Sequence, residues 1–100
     1  MNKECTKLVE RARDRLITVK VTFKKILPPQ FIEKAGELVS AMTWGIQLGK
    51  AQDDLLRYRA GIKVLSNMIV GKSDDEQLAR DLLKQTMQVL DDAMACSAAA

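Results

Sequence analysis

The chain has 100 residues, of which 47% are hydrophobic and 29% are charged, and its formal net charge is +3. This composition is typical of a single soluble globular domain and excludes a disordered chain. Histidine is absent, which excludes the Ser-His and Cys-His pairs of many hydrolases.

The first predicted element covers residues 2–27. Its apolar residues recur in alternating steps of four and three, which places them on one side of a helix. Charged residues fill the other sides, so we expect a long amphipathic helix. The apolar series is Cys5, Val9, Ala12, Leu16, Val19, Phe23 and Ile26.

Residues 17–24 also support an alternative structure. Apolar and polar residues alternate strictly there and include several β-branched ones, a pattern typical of a strand. A lone strand has no partner within this chain and could pair only with a second copy. We favour the helix because its pattern extends over a longer stretch, and we keep the strand as the alternative.

The second predicted helix runs from about Gln30 to Leu48. Pro28 and Pro29 end the first element, and Pro29 suits the first turn of the next helix because its missing N–H is not needed there. Gly49 is the expected stop, as a glycine just past a helix end.

The third predicted helix runs from about Lys50 to Val70 and belongs to a longer apolar stripe. This stripe starts at residue 41, alternates steps of three and four, and crosses Gly49 without losing phase. The second and third helices are therefore, as an alternative, one long bent helix. The stripe comprises Ala41, Trp44, Leu48, Ala51, Leu55, Tyr58, Ile62, Leu65 and Ile69.

A stripe of this length requires cover by another helix, and a second copy of the chain can supply it. We therefore predict a homodimer. Trp44 lies in phase with the stripe, so we expect it to be packed rather than exposed. The predicted dimer interface comprises Trp44, Leu48, Leu55, Tyr58 and Ile62.

The fourth predicted helix runs from Asp74 to about Ala95. Ser73 and Glu76 match the capping box, in which each residue satisfies a free backbone N–H of the other. Gly71 is expected to cap the preceding helix, so the third and fourth helices should be antiparallel neighbours. Residues 97–100 should fray. The sequence thus predicts an all-α antiparallel bundle of three to four helices in one domain, residues 1–100.

Cys5 and Cys96 are the only cysteines and lie at opposite ends of the chain. Two thiols cannot provide the four ligands of a zinc site, so we expect no metal and no cofactor. A disulfide would require the two termini to meet, and nothing in the sequence indicates an oxidising compartment. We therefore predict idle thiols in a cytoplasmic protein. No apolar run approaches the roughly 18 residues of a membrane span, and the N-terminus lacks the apolar stretch of a signal peptide.

The charges are unevenly distributed. Residues 1–25 contain eight basic and three acidic side chains, whereas residues 73–100 contain two and six. One interpretation is structural, with the first and last helices side by side and the first helix neutralising Asp91 and Asp92. The other is a basic face for an acidic partner. The candidate partner-binding residues are Arg11, Arg15, Lys20, Lys24, Arg57, Arg59 and Lys63.

No motif in the chain carries catalytic chemistry. The glycines match no phosphate-binding loop, and two of the three carboxylate groups, residues 53–54 and 74–76, suit helix N-termini. We predict no enzyme. The leading hypothesis is a small intracellular interaction protein that acts as a regulator, adaptor or inhibitor by binding a larger protein. Such chains are common in phages and mobile elements, which is an association only.

The alternative hypothesis is a DNA-binding regulator. Residues 17–23, followed by Leu27-Pro28-Pro29-Gln30-Phe31 and two helices, resemble the ribbon-helix-helix repressors over about half of the chain. The resemblance implies a dimer whose paired strands place Thr18, Lys20 and Thr22 in the major groove. The chain departs from that pattern in its long charged N-terminal segment, in residues 24–26 before the prolines and in its acidic C-terminus.

Overall fold

A computed structural model describes residues 1–99 as four helices joined by short connections. Helix α1 spans Lys3–Thr22, α2 spans Pro29–Gln47, α3 spans Leu55–Asn67 and α4 spans Asp74–Ala99. A short 3₁₀ turn, Ala51–Asp54, precedes α3. Residues 1–99 contain no β-strand. The predicted all-α bundle is confirmed.

The four helices form a closed ring around one core. Helix α1 packs on α2 and α4, and α3 packs on the same two helices. The pairs Cys5–Cys96 and Arg15–Gln85 join α1 to α4 in opposite order along the two helices, so these helices are antiparallel. The molecule measures 41 × 21 × 18 Å and is an elongated bundle.

Helix α1 buries the expected apolar series as far as Val19, but it ends at Thr22 rather than near residue 27, and Ile26 is 41% exposed. Asn2 caps its N-terminus by accepting a hydrogen bond from the N–H of Cys5 at 2.8 Å. The buried residues of α1 are 0–1% exposed, and the stripe continues into the following turn through Phe23 and Leu27. Residues 17–22 are helical, so the strand alternative is wrong. The buried stripe extends along the whole helix and outweighs the β-propensity of one short run.

Helices α2 and α3 are separate because the chain reverses at Gly49. This glycine has a φ of +69°, in the left-handed region that disfavours residues with a side chain. The N–H of Lys50 donates to the carbonyl of Gly45 at 2.9 Å, and the N–H of Gly49 donates to Ile46 at 3.1 Å. These two bonds form a Schellman motif. Gly49 ends α2 as predicted, and the single bent helix is excluded.

The connection from α3 to α4 is longer than expected. Helix α3 ends at Asn67 rather than Val70, and Gly71 adopts a φ of +78° within the connecting segment. The capping box is confirmed, since the N–H of Glu76 donates to Ser73 Oγ at 3.1 Å and the N–H of Ser73 donates to Glu76 Oε1 at 3.2 Å. Helix α4 continues through Ala99, so residues 97–99 are helical rather than frayed, and Ala100 lies outside the described residues.

Cys5 and Cys96 form a disulfide, so the prediction of idle thiols is wrong. Cys5 lies in the first turn of α1 and Cys96 lies near the end of α4. Because these helices are antiparallel neighbours, they bring the two ends of the chain together, with the Cα atoms 5.6 Å apart. The bond closes a loop with a sequence separation of 91 residues. A cross-link over so long a loop removes much of the conformational freedom of the unfolded chain.

We expect reduction of this disulfide to lower the free energy of unfolding by about 2–5 kcal/mol, because the reduced unfolded chain regains its freedom. Urea denaturation with and without a dithiol reductant measures the difference. In the Cys5→Ser/Cys96→Ser double variant, the reductant should have no effect on the midpoint. An equal midpoint for oxidised and reduced wild type would contradict the prediction.

Gly45 allows α2 and α3 to approach closely. A Cβ atom at this position would collide with the hydroxyl of Tyr58, which is buried and donates a hydrogen bond to the carbonyl of Ala41 at 3.3 Å. The ring carbon Cζ of Tyr58 would lie 3.4 Å away, an ordinary contact. The missing side chain of Gly45 therefore makes room for one hydroxyl group.

Gly45→Ala should destabilise the fold by roughly 1–3 kcal/mol through overpacking. Gly36→Ala is the matched control in the same helix, where a Cβ would meet only Lys20 Nζ at 3.6 Å, and it should stabilise by roughly 0.5–1 kcal/mol. In a double-mutant cycle, Tyr58→Phe should relieve most of the cost of Gly45→Ala because it removes the colliding atom. Additive effects of the two substitutions would refute this geometry.

Candidate protein-interaction surface

The central apolar stripe splits into an exposed half and a buried half. On α2, Trp44 and Leu48 are each 62% exposed, and Ala41 is also exposed. From Ala51 to Ile69 every stripe residue is at most 4% exposed. The change occurs at the Schellman turn, where the chain reverses and the helical phase restarts. The prediction that Trp44 is packed in the core is therefore wrong.

The buried side of α2 consists of different residues from those that the stripe predicted. Phe31, Ala35 and Met42 are each 0% exposed and face α1 and the core. Exposed or partly exposed residues on another side follow steps of three, four, three and four, which places them together along one side of α2. They are Lys34, Glu37, Ala41, Trp44 and Leu48.

A groove lies between this side of α2 and the neighbouring side of α3. It has a volume of about 350 Å³ and is open to solvent. Gly61 contributes to its floor, since a Cβ there would lie 3.1 Å from Leu38 Cδ2. Val64, which is 51% exposed, forms part of the α3 wall. The lining residues are Lys34, Glu37, Leu38, Gly61, Val64 and Leu65.

We name this surface the Trp44 face, defined as Trp44 and Leu48 together with the groove just described. Of the five residues predicted at a dimer interface, only Trp44 and Leu48 belong to it. Leu55, Tyr58 and Ile62 are 3%, 2% and 0% exposed. The chain's own helices cover them, so they are not available to a second copy.

Arg59, one of the candidate partner-binding residues, is engaged within the chain. Its Nε donates to Asp91 Oδ1 at 2.7 Å, and its Nη2 donates to Oδ2 at 3.4 Å. This bidentate Arg59–Asp91 ion pair joins α3 to α4. The sequence suggested that α1 neutralises Asp91 and Asp92, but Asp91 pairs with Arg59 of α3 instead. Asp92 accepts a hydrogen bond from Gln88 at 3.1 Å.

The basic residues of α1 are only partly available. Arg15 Nη1 donates to Gln85 Oε1 at 3.3 Å, and Lys20 is partly buried beside Gly36. Arg11 and Lys24 are exposed. Helices α1 and α4 lie side by side as one interpretation expected, but none of the three ion pairs in residues 1–99 joins them.

The structure removes the basis of the repressor-like interpretation. Thr18, Lys20 and Thr22 lie on α1 rather than on a strand. The hydroxyl of Thr18 donates to the carbonyl of Asp14 at 3.0 Å, a bond within the helix. Two copies could form the paired ribbon that enters a major groove only by unfolding this helix, so residues 17–23 do not supply the strand on which the resemblance rests.

The ionisation of the Tyr58 hydroxyl is altered by its surroundings. Burial raises the pKa of its hydroxyl above the usual 10.0, Asp54 raises it further, and Arg57 opposes both. The neutral form is therefore favoured in the folded protein. The resulting stability is present below pH 10.0 and is lost as the pH rises through the folded pKa. At ordinary pH, Tyr58 adds no charge beneath the Trp44 face.

Comparisons with family models, curated proteins and solved structures find no match to this chain. Within the described part of the chain, no group of three or more carboxylate or cysteine side chains is placed to bind a metal ion. None of the helices is both long and apolar enough to cross a bilayer.

The sequence predicted neither the groove nor any of its six lining residues as part of a site. One available signal was the placement of glycines inside helices. Gly45 and Gly61 lie in the interiors of α2 and α3, where glycine costs about 1 kcal/mol relative to alanine. Two such residues in successive helices indicate a close helix–helix approach.

Trp44→Ala should change the free energy of unfolding by no more than about 0.5 kcal/mol, because the side chain has few partners within the chain. Ile62→Ala should cost roughly 2–5 kcal/mol by leaving a cavity. Thermal or urea denaturation at low micromolar concentration measures both. A loss of more than about 2 kcal/mol for Trp44→Ala would indicate that this side chain is packed in the core.

Proposed function

We propose that this chain is a non-enzymatic interaction protein that binds a larger protein through the Trp44 face and acts on it as a regulator, adaptor or inhibitor. The observation that carries the proposal is the 62% exposure of Trp44, the only tryptophan, beside an equally exposed Leu48. Tryptophan is enriched among the residues that dominate the energy of protein interfaces.

The arrangement of the face supports a protein ligand. A large apolar anchor, a neighbouring groove and charged side chains at its edge correspond to the apolar centre and polar rim of known interfaces. Lys34 and Glu37 provide charges of both signs at the groove.

Arg57 extends the face with a cation. Its side chain is 83% exposed, and its contact with Asp54, at 3.7 Å, is a weak surface pair. It lies four residues before Gly61 and seven before Val64, so it shares their side of α3. The Arg57 guanidinium is therefore available to pair with an acidic group on the partner. The exposed Arg11, Lys24 and Lys63 remain further candidates for such contacts.

The disulfide is evidence for the cellular compartment in which the protein acts. Disulfides persist in oxidising compartments and are rare in the cytosol, where thiols are kept reduced. The Cys5–Cys96 bond therefore supports action in an oxidising compartment rather than the cytoplasmic location expected from the sequence. Trapping thiols with an alkylating reagent in intact cells distinguishes the two, since only the oxidised protein resists modification.

Affinity capture from the native host tests the proposed function. The bait is used as wild type, as Trp44→Ala and as Leu56→Ala, the last being the control because Leu56 is 73% exposed but lies outside the Trp44 face. We expect a specific partner to be retained by wild type and Leu56→Ala and lost with Trp44→Ala. Partners retained equally by all three baits would contradict a role for this face.

A further inference from the structure

We propose that the Cys5–Cys96 disulfide is a redox-sensitive latch, which a dithiol opens by attack at Cys96 so that residues 94–99 of α4 detach from the bundle. Residues 94–99 are called the latch segment. This inference does not depend on what occupies the Trp44 face. It concerns what the bond holds locally, in addition to its effect on the unfolded chain.

The disulfide is the main attachment of the latch segment. Ala93 is the last buried residue of α4, with 0% exposure, and none of residues 94–99 is buried. The segment contains no charged side chain, so no ion pair holds it. Of its side chains, Met94 packs partly against the core. The last carbonyl groups of a helix lack partners within it, so an end without buried side chains opens at low free-energy cost.

Cys5 provides the fixed side of the bond. It is 0% exposed, its N–H donates to the Asn2 side chain, and Val9 and Ala12 continue the buried stripe beyond it. The start of α1 is therefore held by core packing and by its N-cap as well as by the disulfide. When the bond breaks, the less firmly packed end moves, and this is the C-terminal end of α4.

The two cysteines differ in accessibility, which determines the route of reduction. Cys5 is completely buried, whereas Cys96 is partly exposed. A thiolate of the dithiol attacks the Cys96 sulfur, the S–S bond breaks, and the Cys5 sulfur leaves with the electron pair and takes up a proton. The second thiolate of the dithiol then attacks its own first sulfur and releases Cys96, which is protonated. The protein gains two electrons and two protons, and the dithiol becomes a cyclic disulfide.

The latch segment forms one wall of a groove between the end of α4 and the start of α3. The groove has a volume of about 270 Å³, and Met94, Ser97 and Ala98 line it from the latch segment. Leu55 lines it from α3 and is 3% exposed, whereas its neighbour Leu56 is 73% exposed. Detachment of the segment removes this wall and exposes more of Leu55. Reduction therefore increases the apolar surface at this end of the bundle.

Amide hydrogen exchange tests the latch because it measures each part of α4 separately. On reduction with a dithiol, we expect the amides of residues 94–97 to exchange nearly as fast as those of an unstructured peptide. The amides of residues 83–90, which include the buried Leu83, Val89 and Leu90, should remain protected. Circular dichroism measures whether the bundle keeps its helical content.

The Cys5→Ser/Cys96→Ser variant produces the open state without a reductant. It should exchange as reduced wild type does and should not respond to the dithiol. Unchanged protection of residues 94–97 in reduced wild type and in the variant would overturn the inference. Loss of protection throughout α4 would also overturn it, because the bond would then hold the whole fold rather than one helix end.

The site of attack is tested with a monothiol, which lacks the second sulfur that completes the reaction and so traps the mixed disulfide. Alkylation and peptide mass mapping then identify the modified residues. We expect the mixed disulfide on Cys96 and the alkyl group on Cys5, in about tenfold or greater excess over the reverse arrangement. A mixed disulfide formed mainly on Cys5 would overturn the proposed route.

Discussion

The left-handed turn at Gly49 is the constraint on which the rest of the architecture depends. Without it, the apolar phase that crosses this residue would continue and α2 and α3 would form one rod. The two Schellman hydrogen bonds end α2, and the 3₁₀ turn that follows starts α3 in a new phase. Two consequences follow: the helices fold back on each other to close the ring, and the part of the stripe before the turn is rotated to the surface.

Patterns within one helix were sufficient to predict most of the fold. The spacing of apolar residues in α1, the proline pair before α2 and the capping box before α4 each depend on neighbours a few residues apart, so the sequence determines them directly. The position of Trp44 depends on something else, namely how far α2 is rotated about its axis when it meets α1 and α3. Phe31, Ala35 and Met42 are the fully buried apolar side chains of α2, so the rotation of the helix turns their side towards the core. A stripe read across Gly49 could not reveal it.

The disulfide and the Arg59–Asp91 pair were missed for a related reason. Both join residues far apart in sequence, and their formation depends on which helices become neighbours and at what offset. Cys5 lies near the start of the chain and Cys96 near its end, and only the antiparallel packing of α1 on α4 brings them together. The net charges of the two segments correctly suggested that these helices are adjacent. The specific partner of Asp91, however, is set by the ring closure through α3.

The bond between the two ends of the chain also has a mechanical consequence. A force applied between the termini of an ordinary bundle peels away its first and last helices. Here the Cys5–Cys96 disulfide provides the shortest covalent path between the two termini. Tension therefore passes through the sulfur atoms and is not transmitted through the helices between them. The helices between Cys5 and Cys96 form a closed loop that is attached to the force-bearing path only at the disulfide. Anything attached to either terminus therefore emerges at the same end of the molecule, and pulling on both attachments leaves the fold under little load.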